Sequence, residues 1–537
     1  MGHGKKKRTI ERISIFEREK VLQFLYRGPH GKTLSTDEEE VLEAEEEAEE
    51  DGTNEKLEED RRQSERSRRN AERFYQVILQ HAQRKCSEIL FNASDENCDT
   101  RQLDFLQEIQ EIPQWARNRI PERFDLLTTR VAMKEESKDQ STTKMIVELQ
   151  DGHKVEAVVI RHLKGRRAEG RKGGAVTLCI SSQVGCKMGC TFCATGTMGE
   201  LGNLSSGEIV EQVMHARALE PRVRNIVFMG MGEPLNNYDA VVDAIRCISQ
   251  NENQKGFNIP CPKICVSTVG VIPNIYRFQK DCPTVSMALS LHAPTQEIRK
   301  RIVPTATAYP LNELMKCLDD YLAKSERQSM LIEYCVLKGI NDTVECAHLL
   351  GELLRGKKVV LNFIPYNPTD VIAGHERPDI EDIYAMNKIL REEYDLTTTV
   401  RHEMGSDIAG ACGQLTLSLN GKKIDKMMEI KDIEEMLGVD IHSSQSSSLT
   451  KKKNIVGRIL KEKDDEKVKK SSSSLLKIAP PPPKKTSTTA ASKNTIVSSY
   501  SLFNDWTKLE IAMLGVATAC SLALICTARF SKRENSI

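Results

Sequence analysis

The sequence lacks net charge: 77 lysines and arginines stand against 77 aspartates and glutamates. A nucleic-acid partner would be held by local basic patches and not by the field of the whole chain. An apolar stretch near the start is also missing. The opening "MGHGKKKRTIERIS" soon acquires acids after its basic run, which argues against a secretory signal and against an acid-poor transit peptide. Lys6 breaks the myristoylation pattern that the initial Met-Gly suggests. Cysteine, in contrast, is plentiful at 16 residues. Without a secretion signal these thiols belong in a reducing compartment, where clustered cysteines mean metal binding or catalysis and not disulfide staples.

Composition divides the chain. Residues 1–99 are charged and helix-prone, and are broken by "STDEEEVLEAEEEAEEDGTNEKLEEDRRQSERSRRN", acidic first and basic after, with almost no apolar periodicity. Such a run is a solvated helix or a disordered insert, serving as a spacer or as an interaction tail. Residues 100–154 form the remainder of an N-terminal accessory region, in which "LDFLQEIQEIPQWARNRIP" reads as packed helix. Over 155–440, β-rich runs alternate with amphipathic helices, the signature of βα units around a parallel sheet. The expected strands are "AVTLCIS", "RNIVFMG", "KICVSTVG", "VSMALSLHA", "MLIEYCVL" and "VVLNFIPYN", six units that predict an α/β fold built as a partial βα barrel. Ser205 and Glu208 of "SSGE" have capping-box spacing ahead of "IVEQVMHARAL". In such folds function collects on loops at the strand C-termini.

Residues 441–507 are a polar, proline- and serine-rich linker that cannot bury a core. In 508–537 the uncharged stretch Ile511 to Ala528, followed by "RFSKRENSI", is about the minimum length for a bilayer span. It reads as a tail anchor, with a buried or docking helix as the alternative because many of its residues are small.

The densest chemistry lies in "CISSQVGCKMGCTFCATG". Cys186, Cys190 and Cys193 have C-x3-C-x2-C spacing on one loop after a strand, with no second knuckle to complete a structural zinc tetrahedron. Iron-sulfur cubanes are held by cysteine thiolates, normally four. Three ligands leave one iron open, which is useful when a small molecule chelates it.

This spacing, with Phe192, resembles the radical S-adenosylmethionine (SAM) signature. Together with "CISSQVGC", "GMGEPL", "SLHAP", "NFIPYNP" and "ACGQL", it resembles the RlmN and Cfr adenosine methyltransferases over about Gln107 to Gly438. The resemblance implies a radical SAM barrel in which Cys186, Cys190 and Cys193 hold a 4Fe-4S cluster and the open iron binds SAM. Gly232, Glu233, Ser267, Ser290, Leu291, His292 and Asn367 match cofactor-binding positions. In the family one SAM methylates a cysteine that corresponds to Cys412. A second SAM yields a radical that takes hydrogen from that S-methyl group, and the methylene radical adds to adenine. Cys179 then releases product by forming a disulfide with Cys412, and Glu156 matches the proton-handling carboxylate. Read alone, Glu156 would be a surface strand residue.

The resemblance implies 2-methyladenosine formation in rRNA, tRNA or both, a reductant of the flavodoxin or ferredoxin kind, and a monomer. Pro234 favours RlmN, whereas "CATG" and "YNP" lean toward Cfr and methylation at carbon 8. A membrane-tethered RNA-binding protein without catalysis is the rival from another class. The sequence departs from the family at Ala409, where an acid is usual, and in the barely recognisable N-terminal region. The basic stretch "RHLKGRRAEGRKGG", with Arg166, Arg167, Arg171 and Lys172, is either a contact for RNA phosphates or a solvated turn. The expected location is a cytoplasmic face, tail-anchored to an organelle or the endoplasmic reticulum, with a soluble cytoplasmic or organellar protein as the alternative.

Overall fold

Strands that are apolar on both faces demand cover on both faces, and this requirement organises the computed structural model. It describes residues 8, 11–28, 54–91, 103–162, 175–249, 257, 259–324, 329–369, 373–415, 418–419 and 422–423. The basic stretch 163–174, most of the acidic run before residue 54, the linker and the apolar segment 511–528 lie outside the described residues. No described helix is long and apolar enough to cross a membrane.

Before the main sheet lie helices α1 (Arg18–Arg27), α2 (Asn54–Phe91) and α3 (Gln114–Arg123). The expected solvated run therefore continues into a helix with a packed second half, where Ala71, Tyr75, Ile78, Ala82, Cys86 and Ile89 are buried at three- and four-residue spacing. Three antiparallel strands follow: β1 (Arg130–Glu136), β2 (Thr142–Glu148) and β3 (Lys154–His162). Next come β4 (Ala175–Cys179) and a separate hairpin of β5 (Gln183–Cys186) and β6 (Gly199–Asn203). The remaining strands, β7 (Val223–Phe228), β8 (Ile264–Thr268), β9 (Ser286–Ser290), β10 (Met330–Val336), β11 (Val359–Pro365) and β12 (Thr397–Val400), alternate with helices. These helices are α4 (Ser206–Leu219), α5 (Tyr238–Ile248), α6 (Ile272–Asp281), α7 (Gln296–Ile302), α8 (Leu311–Lys324), α9 (Val344–Leu354) and α10 (Ile380–Glu392).

Ten strands form one sheet in the order β12-β11-β10-β9-β8-β7-β4-β3-β2-β1. From β4 to β12 the pairing is parallel, and from β4 to β1 it is antiparallel. All six expected strands are present. The sheet also extends beyond them, with β12 as a seventh parallel strand and β1 to β3 on the other side. The ladder from β2 to β3 is unbroken across the boundary expected at residue 155. The parallel strands read as short apolar runs because crossover helices cover them. The capping box opens α4 as its sequence predicts: Ser205 Oγ accepts from Glu208 N at 3.2 Å, and the Glu208 carboxylate accepts from Ser205 N at 2.9 Å.

A buried polar network fastens α4 to the segment before β1. Glu211 accepts from Thr128 N at 2.9 Å, Thr129 N at 2.8 Å and Thr129 Oγ1 at 2.7 Å. Because that hydroxyl donates to Glu211, it accepts from His215 Nε2 at 3.0 Å, which fixes the neutral Nε2-H tautomer. Burial pushes His215 down to about 4. Its folded pKa lies below the unfolded value, so the stability it contributes is present above about pH 6.5 and is lost as pH falls toward 4. Glu211 in the same network and Glu233, each pushed up by burial to about 7, and Asp243, pushed up to about 6, tilt the profile the other way in an overlapping window, so a difference measurement is needed. Unfolding followed across pH should show His215→Gln losing less stability than wild type between pH 6.5 and 4, by up to about 1.4 kcal/mol per pH unit. Parallel profiles would contradict this.

Candidate active site

The parallel strands end on one side of the sheet, and the expected site residues gather there. Cys179 closes β4, paired with Val227 of β7 on one side and Val158 of β3 on the other. Directly opposite residues share a sheet face, and so do residues two apart on one strand, so Glu156 and Cys179 project to the same side. Ser181 locks this corner: its Oγ donates to Glu156 O at 2.7 Å and accepts from Met231 N at 2.8 Å. Glu156 is fully buried, with Lys144 Nζ 3.6 Å away. It is not the surface residue that its strand alone suggests, because β2 and β4 enclose β3.

The cysteine loop is mounted on the hairpin that follows. Cys186 ends β5, and Cys190 and Cys193 lie in the turn before β6. Gly185 has φ +73°, and a Cβ there would stand 2.0 Å from Gly199 O, so only glycine allows the two hairpin strands to close. Cys193 N donates to Cys190 O at 3.1 Å, and Thr191 N donates to Ile302 O at 2.9 Å, tying the loop to α7. Cys186, Cys190, Met188 and Phe192 pack with Ala293, Ile302, Val303, Ala306, Cys335 and Tyr366 in an apolar cluster separate from the main core.

Cys412 lies far along the chain but adjoins this loop. Ala194 N donates to Gly413 O at 2.7 Å, Thr195 Oγ1 donates to Leu415 O at 2.7 Å, and Asn367 Nδ2 donates to Cys412 O at 3.0 Å. The loop reaches this position through Ala409, which holds a left-handed φ of 48°, and Asp407, which accepts from Lys138 N at 2.9 Å. Cys179 and Cys412 are both free thiols, so the expected disulfide is not formed.

The other expected residues line the same strand ends. Gly232 has φ +100°, where a Cβ would meet Gln183 Cβ at 2.6 Å; Gln183 Oε1 accepts from the next amide, Glu233 N, at 2.8 Å. The Glu233 carboxylate accepts from Val269 N at 2.9 Å and from Leu235 N at 3.1 Å, and burial pushes it up to about 7. Ser267 and Ser290 touch through their hydroxyls at 3.2 Å. Leu291 N and His292 N both donate to Glu333 O, at 3.1 and 3.3 Å. His292 has φ 60°, its Nδ1 accepts from Cys335 N at 3.0 Å, and its ring stands edge-on to Phe192 with centroids 4.8 Å apart. Burial and Arg299 push His292 down to about 3, so it is neutral with its proton on Nε2.

Burial favours the protonated form of the thiols of the site. Burial pushes Cys186 up to about 12 and Cys190 further, and the neighbouring cysteines add to both shifts. Cys179 is pushed up to about 12 by burial and Cys412, against the opposing charge of Arg401. Iron would therefore displace protons as it bound. Among the described residues no three His, Cys, Asp or Glu side chains are set to hold a single metal ion. A cubane asks for something else, since each thiolate takes a different iron.

Residues 180–350 match the model of the radical SAM superfamily. A protein from Lysinibacillus sphaericus (strain C3-41), named probable dual-specificity RNA methyltransferase RlmN, is 38% identical over 319 residues, 59% of this chain and 80% of its own. The ribosomal RNA large subunit methyltransferase N of Nitrosopumilus maritimus (strain SCM1) is 38% identical over 329 residues, 59% of this chain and 90% of its own. The chain belongs to the RlmN family. A solved radical SAM methyltransferase from Sphaerobacter thermophilus has the same fold, with a TM-score of 0.52 and 34% identity over 62% of this chain and 92% of that one.

The RlmN family's cofactors, a 4Fe-4S cluster and SAM, suit what is present: three thiols on one loop, those of Cys186 and Cys190 buried and that of Cys193 half-buried, and a buried guanidinium nitrogen of Arg299 without a partner. Several residues around the site escaped sequence reasoning. Cys335 is a buried thiol whose pKa is raised by burial and by Cys412 and Cys193. Asn341 bridges the site's backbone, donating to His292 O and Cys335 O at 2.8 Å each while accepting from Leu337 N at 2.7 Å. Arg401 feels Cys412, Glu333 and Cys179. Only their place at strand ends marked them in advance.

Proposed function

We propose that this protein is a radical SAM RNA methyltransferase that forms 2-methyladenosine. Carbon 2 of adenine has no lone pair with which to attack a sulfonium methyl group, so the transfer needs a radical route. One observation supports the reading above others: the loop carrying Cys412 is hydrogen-bonded to the cysteine loop through Ala194 N and Gly413 O, while Asn367 holds the Cys412 carbonyl.

In this reading Cys186, Cys190 and Cys193 hold the cluster. When bound, it supplies the electron that cleaves SAM and so the radical that removes hydrogen from a methyl group on Cys412. Gly232, Glu233, Ser267, Ser290, Leu291, His292 and Asn367 bind and orient SAM, with neutral His292 offering Nε2-H as a donor. Cys412 carries the methyl carbon and links to the base. Cys179, at the end of β4, forms a transient disulfide with Cys412 as the bond from the Cys412 sulfur to the transferred carbon breaks, which frees the product, and Glu156 handles the proton. The flavodoxin- or ferredoxin-type reductant and the monomeric state belong to the same reading. Transfer of labelled methyl from SAM to RNA by the reconstituted full-length protein tests it; unlabelled RNA from a protein with full iron would sink it.

A further inference from the structure

Helix α7 carries a charged group that this chemistry leaves unused. Arg299 is 1% exposed. Its Nε donates to Leu291 O at 3.2 Å and its Nη2 to Val269 O at 2.5 Å, carbonyls in the loops that leave β9 and β8. These two bonds fix the plane of the guanidinium. The third nitrogen, Nη1, is buried with no partner. A buried charged donor left unmade is costly, so its presence points to an acceptor.

The surroundings narrow what that acceptor is. Thr191 N donates to Ile302 O at 2.9 Å and Thr305 Oγ1 donates to Met188 O at 3.2 Å, fastening the middle of the cysteine loop to α7 and the turn after it. Ile302, Val303 and Ala306 pack in one apolar cluster with Cys186 and Cys190. Of the three cysteines, Cys190 feels the charge of Arg299. Although burial lowers Arg299 to about 10, it remains a cation at neutral pH.

We propose that Arg299 donates a hydrogen bond from Nη1 into the cluster held by Cys186, Cys190 and Cys193, and that its charge raises the cluster's reduction potential. The inference rests on the cluster reading above. Three thiolates and the cubane carry net negative charge, which grows by one when an electron arrives. A fixed cation in a dry site stabilises the reduced state more than the oxidised one, and hydrogen bonds to cluster sulfur act in the same direction. The carboxylate of bound SAM is the other anion within the same chemistry, and the test separates the two.

The experiment uses full-length protein reconstituted anaerobically, with iron and sulfide per chain measured first. The midpoint potential is then taken without SAM, by redox titration followed by electron paramagnetic resonance, for wild type, Arg299→Gln and Arg299→Lys. Arg299→Gln should make reduction about tenfold less favourable, a shift of about 59 mV to lower potential for one electron, and Arg299→Lys should recover most of it. An unchanged potential in an iron-replete Arg299→Gln protein overturns the inference. If that variant instead loses tenfold or more in SAM affinity, the acceptor is the SAM carboxylate. Should Arg299→Gln fail to load, pulsed resonance on wild type with nitrogen-15-labelled arginine decides: a nitrogen-15 coupling to the reduced cluster that disappears in Arg299→Lys is expected, and no coupling, or one that persists in Arg299→Lys, overturns the inference. Wild type without iron would sink the cluster reading itself.

Discussion

Cys412→Ala is expected to abolish methyl transfer to RNA, by more than about a thousandfold, while leaving iron content and fold intact. Losses of that size follow removal of a nucleophile whose covalent step nothing else can supply. The fold should survive because the loop is held by its backbone and by its neighbours. Asn367 grips the Cys412 carbonyl, Ala194 grips that of Gly413, and Gln414 Nε2 donates to Pro368 O at 3.0 Å. Alanine removes one sulfur and none of these bonds. Iron analysis, near-ultraviolet circular dichroism and labelled-methyl transfer, measured on one preparation, check the prediction together. Full activity would remove Cys412 from the chemistry.

Cys179→Ala should have a different and equally large effect: product no longer leaves, and RNA accumulates covalently joined to protein. Cys179 ends β4 with its backbone in register against Val227, so the substitution leaves the ladder in place. Its thiol is pushed up to about 12, mainly by burial, with Arg401 working in the opposite direction. On the proposed role, the sulfur would stay a thiol until the adduct on Cys412 needs cleavage. A denaturing gel should show a nuclease-sensitive, slowly migrating species in Cys179→Ala and none in Cys412→Ala or the double variant. Release of free methylated RNA at the wild-type rate by Cys179→Ala would contradict the role.

Local chemistry was legible in the sequence, and long-range pairing was not. The six parallel strands and the Ser205–Glu208 cap read correctly because apolar runs and cap spacing act within a few residues. The strand Thr397–Val400 did not, because "TTTV" is short and offers no apolar run; it becomes a strand by pairing with β11. The hairpin Arg130–Glu136 and Thr142–Glu148 was similarly hidden, since β1 is a polar edge strand whose exposure alternates. At the site, cysteine spacing and the resemblance carried the residues, but the bond from Ala194 to Gly413 joins segments that no spacing rule connects. Glu156 shows the same limit, for its burial comes from the two strands that flank it. Arg299 and Cys335 acquire significance only through what packs around them.

The most direct measurement is mass spectrometry of nucleosides from rRNA and tRNA incubated with the reconstituted full-length protein, SAM and a one-electron reductant, with Cys412→Ala alongside. The account predicts new 2-methyladenosine that depends on Cys412. New 8-methyladenosine would contradict the position of attack, and no methylated adenosine from a protein with a full cluster would contradict the function.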